Sequence, residues 1–450
     1  SHRRLLLQPS AFQIFPIMPP ILNCNWKPTD TLSVLGANDP SLLAFACRDD
    51  GVDSEQTMLR LVVASSRIPF RAKDGTFLNV ECFGPTYNRQ DQLRNENRIC
   101  SSKIFCRSEI GLAGSECASD NNHDDVSASG NTKRSNHHGR SMHNVDEWPI
   151  LLYVHGICES AETWGVQTLA QNCAKHCWRL AVLELAGHGL SSDVGGGGFS
   201  RRATCPNFDS LVQHVVEFTI HVKNTFQRSQ GIALCGGSLG GALVAYAVKD
   251  ILSNYNENGG NTGMKPQQTE EEIQRNHPNF YGIVLLAPSL GVHQRTLPPS
   301  PVIAVLKTLS RLLPSHGILT PIEHSEEYSC PPSSTRNFSG RWPLSTANML
   351  LDLTSNIIPS DILSNRVDAL IEGLASLLVI MGDRDEVVPY DSVQRWFDSV
   401  TKLRKNTGEK KLITLKNGRH SFMHERSSVV FVDSLFQWLN THASQELKLS

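Results

Sequence analysis

The sequence predicts an α/β protein built on a mostly parallel β-sheet with helices on both faces. Two observations carry this expectation. From Trp148 onward, short apolar runs that read as buried strands alternate with longer segments of helical character. Between Pro288 and about Ile371 the alternation stops, and a proline-rich stretch with scattered helical pieces stands where a cap over the sheet would be inserted.

Residues 1–59 read as an N-terminal extension, disordered or a targeting segment. Arg3, Arg4 and Lys27 occur there with no acid before Asp30, beside the apolar runs 5–7 and 12–17. Pro9, Pro16, Pro19 and Pro20 interrupt those runs, which makes a poor membrane anchor. The main domain is expected over 60–85 and 147–442. Residues 60–66 and 68–72 read as extended, Lys73-Asp74-Gly75 as a hairpin turn, and 76–83 as the strand that follows. From 86 to 146 the composition collapses to Asn, Ser, Asp, Arg and His, too polar to bury a core, so a disordered insert is expected.

Strands are then predicted over 149–154, 179–185, 232–235, 280–287, 377–381 and 411–415. Helices are predicted over 160–177, 208–226, 242–253 and 429–442. A second polar insert is read over 254–279, and the cap over 289–371.

The whole chain of 450 residues is 40% hydrophobic and 19% charged, with a formal net charge of −2. This balance fits a globular protein and carries no basic footprint for nucleic acid. No stretch approaches the roughly 20 apolar residues that span a bilayer. The twelve cysteines form no CxxC pair with a downstream CxxC or HxxxH. Free thiols, an intracellular setting, no metal and no cofactor are therefore expected.

The chemistry concentrates in Gly236-Gly237-Ser238-Leu239-Gly240-Gly241, whose first five residues have the form G-x-S-x-G, between a predicted strand and a predicted helix. A serine on such a turn is aimed out of the sheet, and glycines at 236 and 240 remove the side chains that would clash with it. Ser238 is the expected nucleophile. The base and acid are expected later in the chain, beyond strand ends. Asp385 is the chosen acid in the loop after 377–381, with Asp383 and Glu386 as rivals; His420 is the chosen base after 411–415, with His424 as the rival. The oxyanion hole is assigned to the backbone N–H of Leu239 and one from the segment after His155-Gly156, at Ile157 or Cys158, with Ile157 preferred. His155 and His188 are read as structural, and Cys158 as a packed lining residue without a dedicated partner.

These residues resemble the monoacylglycerol lipase-like α/β hydrolases, of the lysophospholipase and serine aminopeptidase S33 type, which include plant lysophospholipase-like and caffeoylshikimate esterase-like members. The narrower likeness lies in the cap: the apolar run 301–313 before Pro314, then Asn337-Phe338-Ser339-Gly340-Arg341 and Leu344-Ser345-Thr346-Ala347-Asn348-Met349-Leu350-Leu351, similar to that group's Y-x-G-x-x-R-x-x-T-x-x-x-L-L stretch. The resemblance covers about 68–83 and 148–440, apart from the inserts. It implies the α/β-hydrolase fold, a small-molecule acyl ester as substrate, and Ser238, Asp385 and His420 as a catalytic triad. The chain departs from the group at Gly237 (usually Glu or His), at Leu239 (usually Met) and in Ile157-Cys158-Glu159-Ser160, where a Gly-Glu-His form is usual.

Within the cap, Val302, Val305, Leu306, Leu309, Leu312 and Leu313 form a stripe at helical spacing opposite Lys307 and Arg311. Such a stripe either lines an acyl pocket or touches a membrane surface, or else packs the cap onto the sheet. An ester hydrolase is the leading expectation. An acyltransferase or thioesterase using the same three residues, and a non-catalytic binding protein on the same fold, are the alternatives. Dehalogenase and epoxide hydrolase chemistry would need a carboxylate where Ser238 stands.

Overall fold

A computed structural model describes residues 63–85, 145–205, 207–260, 279–293, 297–319, 336, 338–356, 376–401, 408–421, 423 and 428–449. The N-terminal extension and His424 lie outside these residues. So does the expected insert 86–146, apart from Val145 and Asp146, which belong to a short 3-10 turn, Val145–Glu147.

The first strands are β1 (Val63–Arg67), β2 (Phe70–Arg71), β3 (Phe77–Leu78) and β4 (Val80–Pro85). The hairpin predicted at Lys73-Asp74-Gly75 joins β2 to β3. Gly75 takes φ +89°, and Ala72 N–H donates to Thr76 O at 2.8 Å. The strand expected over 76–83 is broken at Asn79. There the backbone N–H leaves the ladder for Ser191 Oγ (2.9 Å), so β3 pairs with β2 while β4 pairs with β1.

The alternating part follows: β5 (Ile150–Val154), α1 (Trp164–Lys175), β6 (Arg179–Leu183), α2 (Phe208–Thr225), β7 (Gly231–Gly237), α3 (Leu239–Gly260) and β8 (Asn279–Leu286). Asn207 starts α2 by accepting a hydrogen bond from Asp209 N–H, the ordinary side-chain cap of a helix. Helix α3 runs to Gly260, so the first seven residues of the expected insert 254–279 are helical. The cap contributes α4 (Ser300–Leu312), β9 (Gly317–Leu319), β10 (Arg341–Pro343) and α5 (Leu344–Asn356). The chain closes with β11 (Leu377–Gly382), α6 (Tyr390–Thr401), β12 (Lys410–Leu415) and α7 (Ser428–Leu449).

Eight strands form one sheet in the order β1-β4-β6-β5-β7-β8-β11-β12. From β6 to β12 every neighbouring pair is parallel, and β4 is antiparallel to both β1 and β6. Every residue of β5, β7 and β11 is buried. Successive side chains of a strand point to opposite faces, so both faces of the sheet are covered, as the continuous apolar runs required.

The cap holds a small core of its own, Leu306, Leu344 and Leu351, with Val302, Ile303 and Ile318 packed on it. Lys307 of α4 pairs with Asp352 of α5 at 2.7 Å. The expected stripe on α4 therefore divides. Leu306 is buried and Val302 half-buried in the cap, whereas Val305, Leu309 and Leu312, with Leu313 just past the helix end, are 56%, 38%, 71% and 53% exposed. Packing onto the sheet does not account for those four. Among the described residues no helix is long and apolar enough to cross a membrane.

Candidate active site

Strand β7 and helix α3 are separated by Ser238 alone, a sharper turn than the sequence suggested. Ser238 takes φ +50°, a left-handed conformation that costs an L-residue about 1–3 kcal/mol. The fold holds it there by backbone hydrogen bonds. Ser238 N–H donates to Leu286 O at 2.9 Å, and Ser238 O accepts from Ser289 N–H at 2.9 Å. The flanking glycines are sterically required. A Cβ on Gly240 would lie 2.0 Å from Val154 O, and one on Gly236 would lie 2.3 Å from Gly240 O.

The three residues singled out beyond strand ends come together. His420 Nε2 lies 2.9 Å from Ser238 Oγ, and His420 Nδ1 lies 2.8 Å from Asp385 Oδ2. With Nδ1–H donated to the carboxylate, Nε2 is the acceptor for the Ser238 hydroxyl. Asp385 Oδ1 accepts from Val387 N–H and Val388 N–H, both at 2.8 Å, and Asp385 O lies 3.0 Å from His293 Nε2. The acid is thus held on both carboxylate oxygens. Asp385 is buried while its rivals Asp383 and Glu386 are exposed. Burial opposes charge on His420, but the Asp385 carboxylate, helped by Glu159, outweighs it and raises the ring's pKa above 6.5.

The loop after β5 runs against the elbow, and a Cβ on Gly156 would lie 3.2 Å from Ser238 Cβ. Of the two N–H groups weighed there, Cys158 N–H is taken by His188 Nε2 at 3.1 Å. The N–H groups of Ile157 and Leu239 have no hydrogen-bond partner among the described residues. Leu239 opens α3, so its N–H also belongs to the positive end of that helix. Cys158 does have a dedicated partner, contrary to expectation: Trp342 Nε1 of the cap strand β10 donates to its sulfur at 3.1 Å.

Sequence reasoning overlooked two neighbours. Ser289 Oγ stands 3.2 Å from Ser238 Oγ, and Glu159 Oε2 accepts from Gly156 N–H at 2.7 Å. Ser289 follows the end of β8, so the strand-end rule that singled out Asp385 and His420 also applied to it. A cavity of about 280 Å³ lined by Ile150, Arg179 and Phe226 lies at the amino ends of β5 and β6, away from Ser238. Among the described residues no cluster of three or more His, Cys, Asp or Glu side chains could hold a metal ion.

A family model described as the alpha/beta hydrolase family matches residues 151–433, more than half of the chain. The chain belongs to the alpha/beta hydrolase family. No curated protein matches it. Among solved structures, this hydrolase is similar to the monoacylglycerol lipase of Paleococcus ferrophilus at 16% identity and a TM-score of 0.45, covering 66% of this chain and 96% of that one. A soluble variant of the Saccharomyces cerevisiae monoglyceride lipase aligns at 14% identity and 0.45, covering 66% and 87%. The ferulic acid-bound Est1E of Butyrivibrio proteoclasticus aligns at 15% and 0.39, covering 66% and 91%.

In this hydrolase an ionic cluster ties the cap segment to the strand ends beside the site. Arg336, 3% exposed, lies 2.8 Å from Glu81, 3.4 Å from Glu162 and 3.5 Å from Glu184. Burial disfavours the guanidinium charge, yet Glu184, Glu81 and Glu162 together raise its pKa above the ordinary value. Glu184 also accepts from Ala161 N–H, Leu190 N–H and Asn79 Nδ2, which braces the loop after β5 and the turn after β6.

Proposed function

We propose that this hydrolase is a serine esterase of the monoacylglycerol lipase-like or lysophospholipase-like kind, cleaving carboxylic esters through an acyl-enzyme on Ser238. The observation that carries the reading is the unbroken line from Asp385 Oδ2 to His420 Nδ1 (2.8 Å) and from His420 Nε2 to Ser238 Oγ (2.9 Å). Ser238 Oγ attacks the ester carbonyl carbon as His420 Nε2 takes its proton. The carbonyl π pair moves onto oxygen, where the N–H groups of Ile157 and Leu239 hold the negative charge. Collapse of this intermediate expels the alcohol oxygen, which receives the proton from His420. Water then repeats the sequence on the acyl-enzyme and releases the acid. Asp385 orients the ring and stabilises its charged form without taking the proton.

The narrower ester class rests on the cap. Its sequence resembles that of the lipase-like group, and α4 exposes Val305, Leu309 and Leu312. A helix that keeps such an apolar edge in water suits transient contact with a lipid surface, where long-chain esters collect. The test is hydrolysis of monoacylglycerols, lysophospholipids, short aryl esters and hydroxycinnamoyl esters by the wild type and Ser238→Ala, with labelling by a fluorophosphonate probe. The expected result is loss of labelling and a fall in kcat of at least about 10⁴-fold in the variant. Unchanged hydrolysis by Ser238→Ala would overturn the assignment.

A further inference from the structure

The loop that carries Ile157 is not held by its own backbone alone. Cys158 takes φ +68°, a left-handed conformation that an L-residue enters only where its surroundings over-determine it. Two peptide groups set the direction of the loop. The Gly156–Ile157 peptide bears both Gly156 O and the Ile157 N–H, which point to opposite sides of a trans peptide. Gly156 O accepts from His155 Nδ1 at 2.7 Å, and His155 Nε2 accepts from Leu185 N–H at 3.1 Å. The next peptide presents Cys158 N–H to His188 Nε2 at 3.1 Å, and His188 Nδ1 lies 2.9 Å from Ala186 O. A carbonyl can only accept, so His188 carries its proton on Nδ1 and keeps Nε2 as an acceptor. The two rings pack edge to face, with centroids 5.2 Å apart.

We infer that His188 is a positioning residue for acyl transfer: by holding Cys158 N–H from the turn after β6, it keeps the Ile157 N–H aimed at the developing oxyanion. This rests on the esterase reading above and deepens it. His188 is 3% exposed. Burial and the neighbouring His155 lower its pKa to about 3, so the acceptor persists throughout the neutral range. From the other side, the cap's Trp342 holds the same residue through its sulfur. The strained residue is thus pinned between the sheet end and the cap.

The experiment compares His188→Leu, which removes the acceptor, with His188→Gln, whose Oε1 can stand near the place of Nε2. Both are read on p-nitrophenyl butyrate and on inhibition by a trifluoromethyl ketone, which mimics the tetrahedral intermediate. His188→Leu is expected to lower kcat by about 100-fold with KM little changed, and to weaken the ketone in the same proportion. His188→Gln is expected to restore most of both. Equal losses in the two variants, or a lowered kcat with undiminished ketone affinity, would overturn the inference. If His188→Leu does not fold, His188→Asn takes its place, because its shorter amide cannot reach Cys158 N–H; equal kcat for the Asn and Gln variants then counts against the inference. A wild type that neither hydrolyses esters nor labels at Ser238 would sink the esterase reading itself, whereas an active wild type with a fully active His188→Leu sinks only this one.

Discussion

The Tyr153 hydroxyl occupies the space that a side chain at Gly237 would need: a Cβ there would stand 2.5 Å from Tyr153 Oη. Tyr153 is fully buried in β5, with its hydroxyl 3.9 Å from Met423 Sδ. The departure at Gly237 from the pattern the sequence resembles is therefore matched by a neighbour one strand away. Gly237→Ala is expected to destabilise the protein by about 1–3 kcal/mol through overpacking. In a Tyr153→Phe background, where the hydroxyl is gone, the same substitution should cost much less. Denaturant midpoints of the four proteins give the coupling, and additive effects would show that the two residues do not compete for that space.

The pH dependence follows from His420. Burial lowers its pKa, but Asp385 more than reverses this, so the ring stays protonated to higher pH than a free histidine. In the proposed mechanism attack by Ser238 needs the neutral ring, so kcat/KM should fall as pH drops through that raised pKa. Asp385→Asn removes the raising interaction. Its acid limb should move to lower pH while the plateau falls by about 10⁴-fold. Stability has the opposite sense. The pair's contribution is complete below pH 6.5 and is lost as pH rises through the folded pKa. The difference in Tm between wild type and His420→Ala should therefore shrink as pH rises, and a difference that grows would contradict the pairing.

Arg336 joins Glu81, Glu162 and Glu184 in one set of ion pairs, and Glu81 has a second cation in the exposed Arg67 at 3.3 Å. Arg336→Met takes the buried counter-charge from Glu184 and Glu162 and leaves buried Glu81 only the exposed Arg67, which should cost about 3–5 kcal/mol. Arg336→Lys should recover only part, since one ammonium cannot reach three carboxylates as the guanidinium fork does. Urea midpoints equal to wild type in both variants would remove the cluster from any account of stability.

Exposed apolar side chains on α4 make a different kind of prediction. Leu309→Ser with Leu312→Ser should leave Tm within a degree or two, because both residues face outward. Binding to phospholipid vesicles should fall by at least about tenfold, given roughly 1.5–3 kcal/mol for each fully buried leucine. Hydrolysis of a water-soluble aryl ester should be unaffected. Undiminished vesicle binding in a vesicle-sedimentation assay would leave the cap without a part in surface contact.

Much of the framework could be read from local patterns. The buried strands β5, β7 and β11 are short apolar runs because both of their faces are covered. Gly236 and Gly240 mark the turn because a side chain on Gly240 would clash with the end of β5 and one on Gly236 with the backbone at Gly240 and Gly241. Boundaries were less legible: α3 begins at Leu239 and extends to Gly260, since a helix end depends on what packs and caps it as well as on its own residues.

What the sequence determined by itself was the order of strands and helices, the turn that exposes Ser238, and the short loops that hold Asp385 and His420. These are properties of a few neighbouring residues, encoded by periodicity and by glycine. Which of several adjacent candidates faces inward was decided only by the tertiary structure. Asp385 is buried where Asp383 and Glu386 are not, and Cys158 N–H is taken by His188 while Ile157 N–H has no partner among the described residues. Arg336 meets Glu81 across 255 positions of chain. No local pattern carries such choices, because burial and hydrogen bonding at one residue depend on side chains that arrive only when distant strands and the cap have packed.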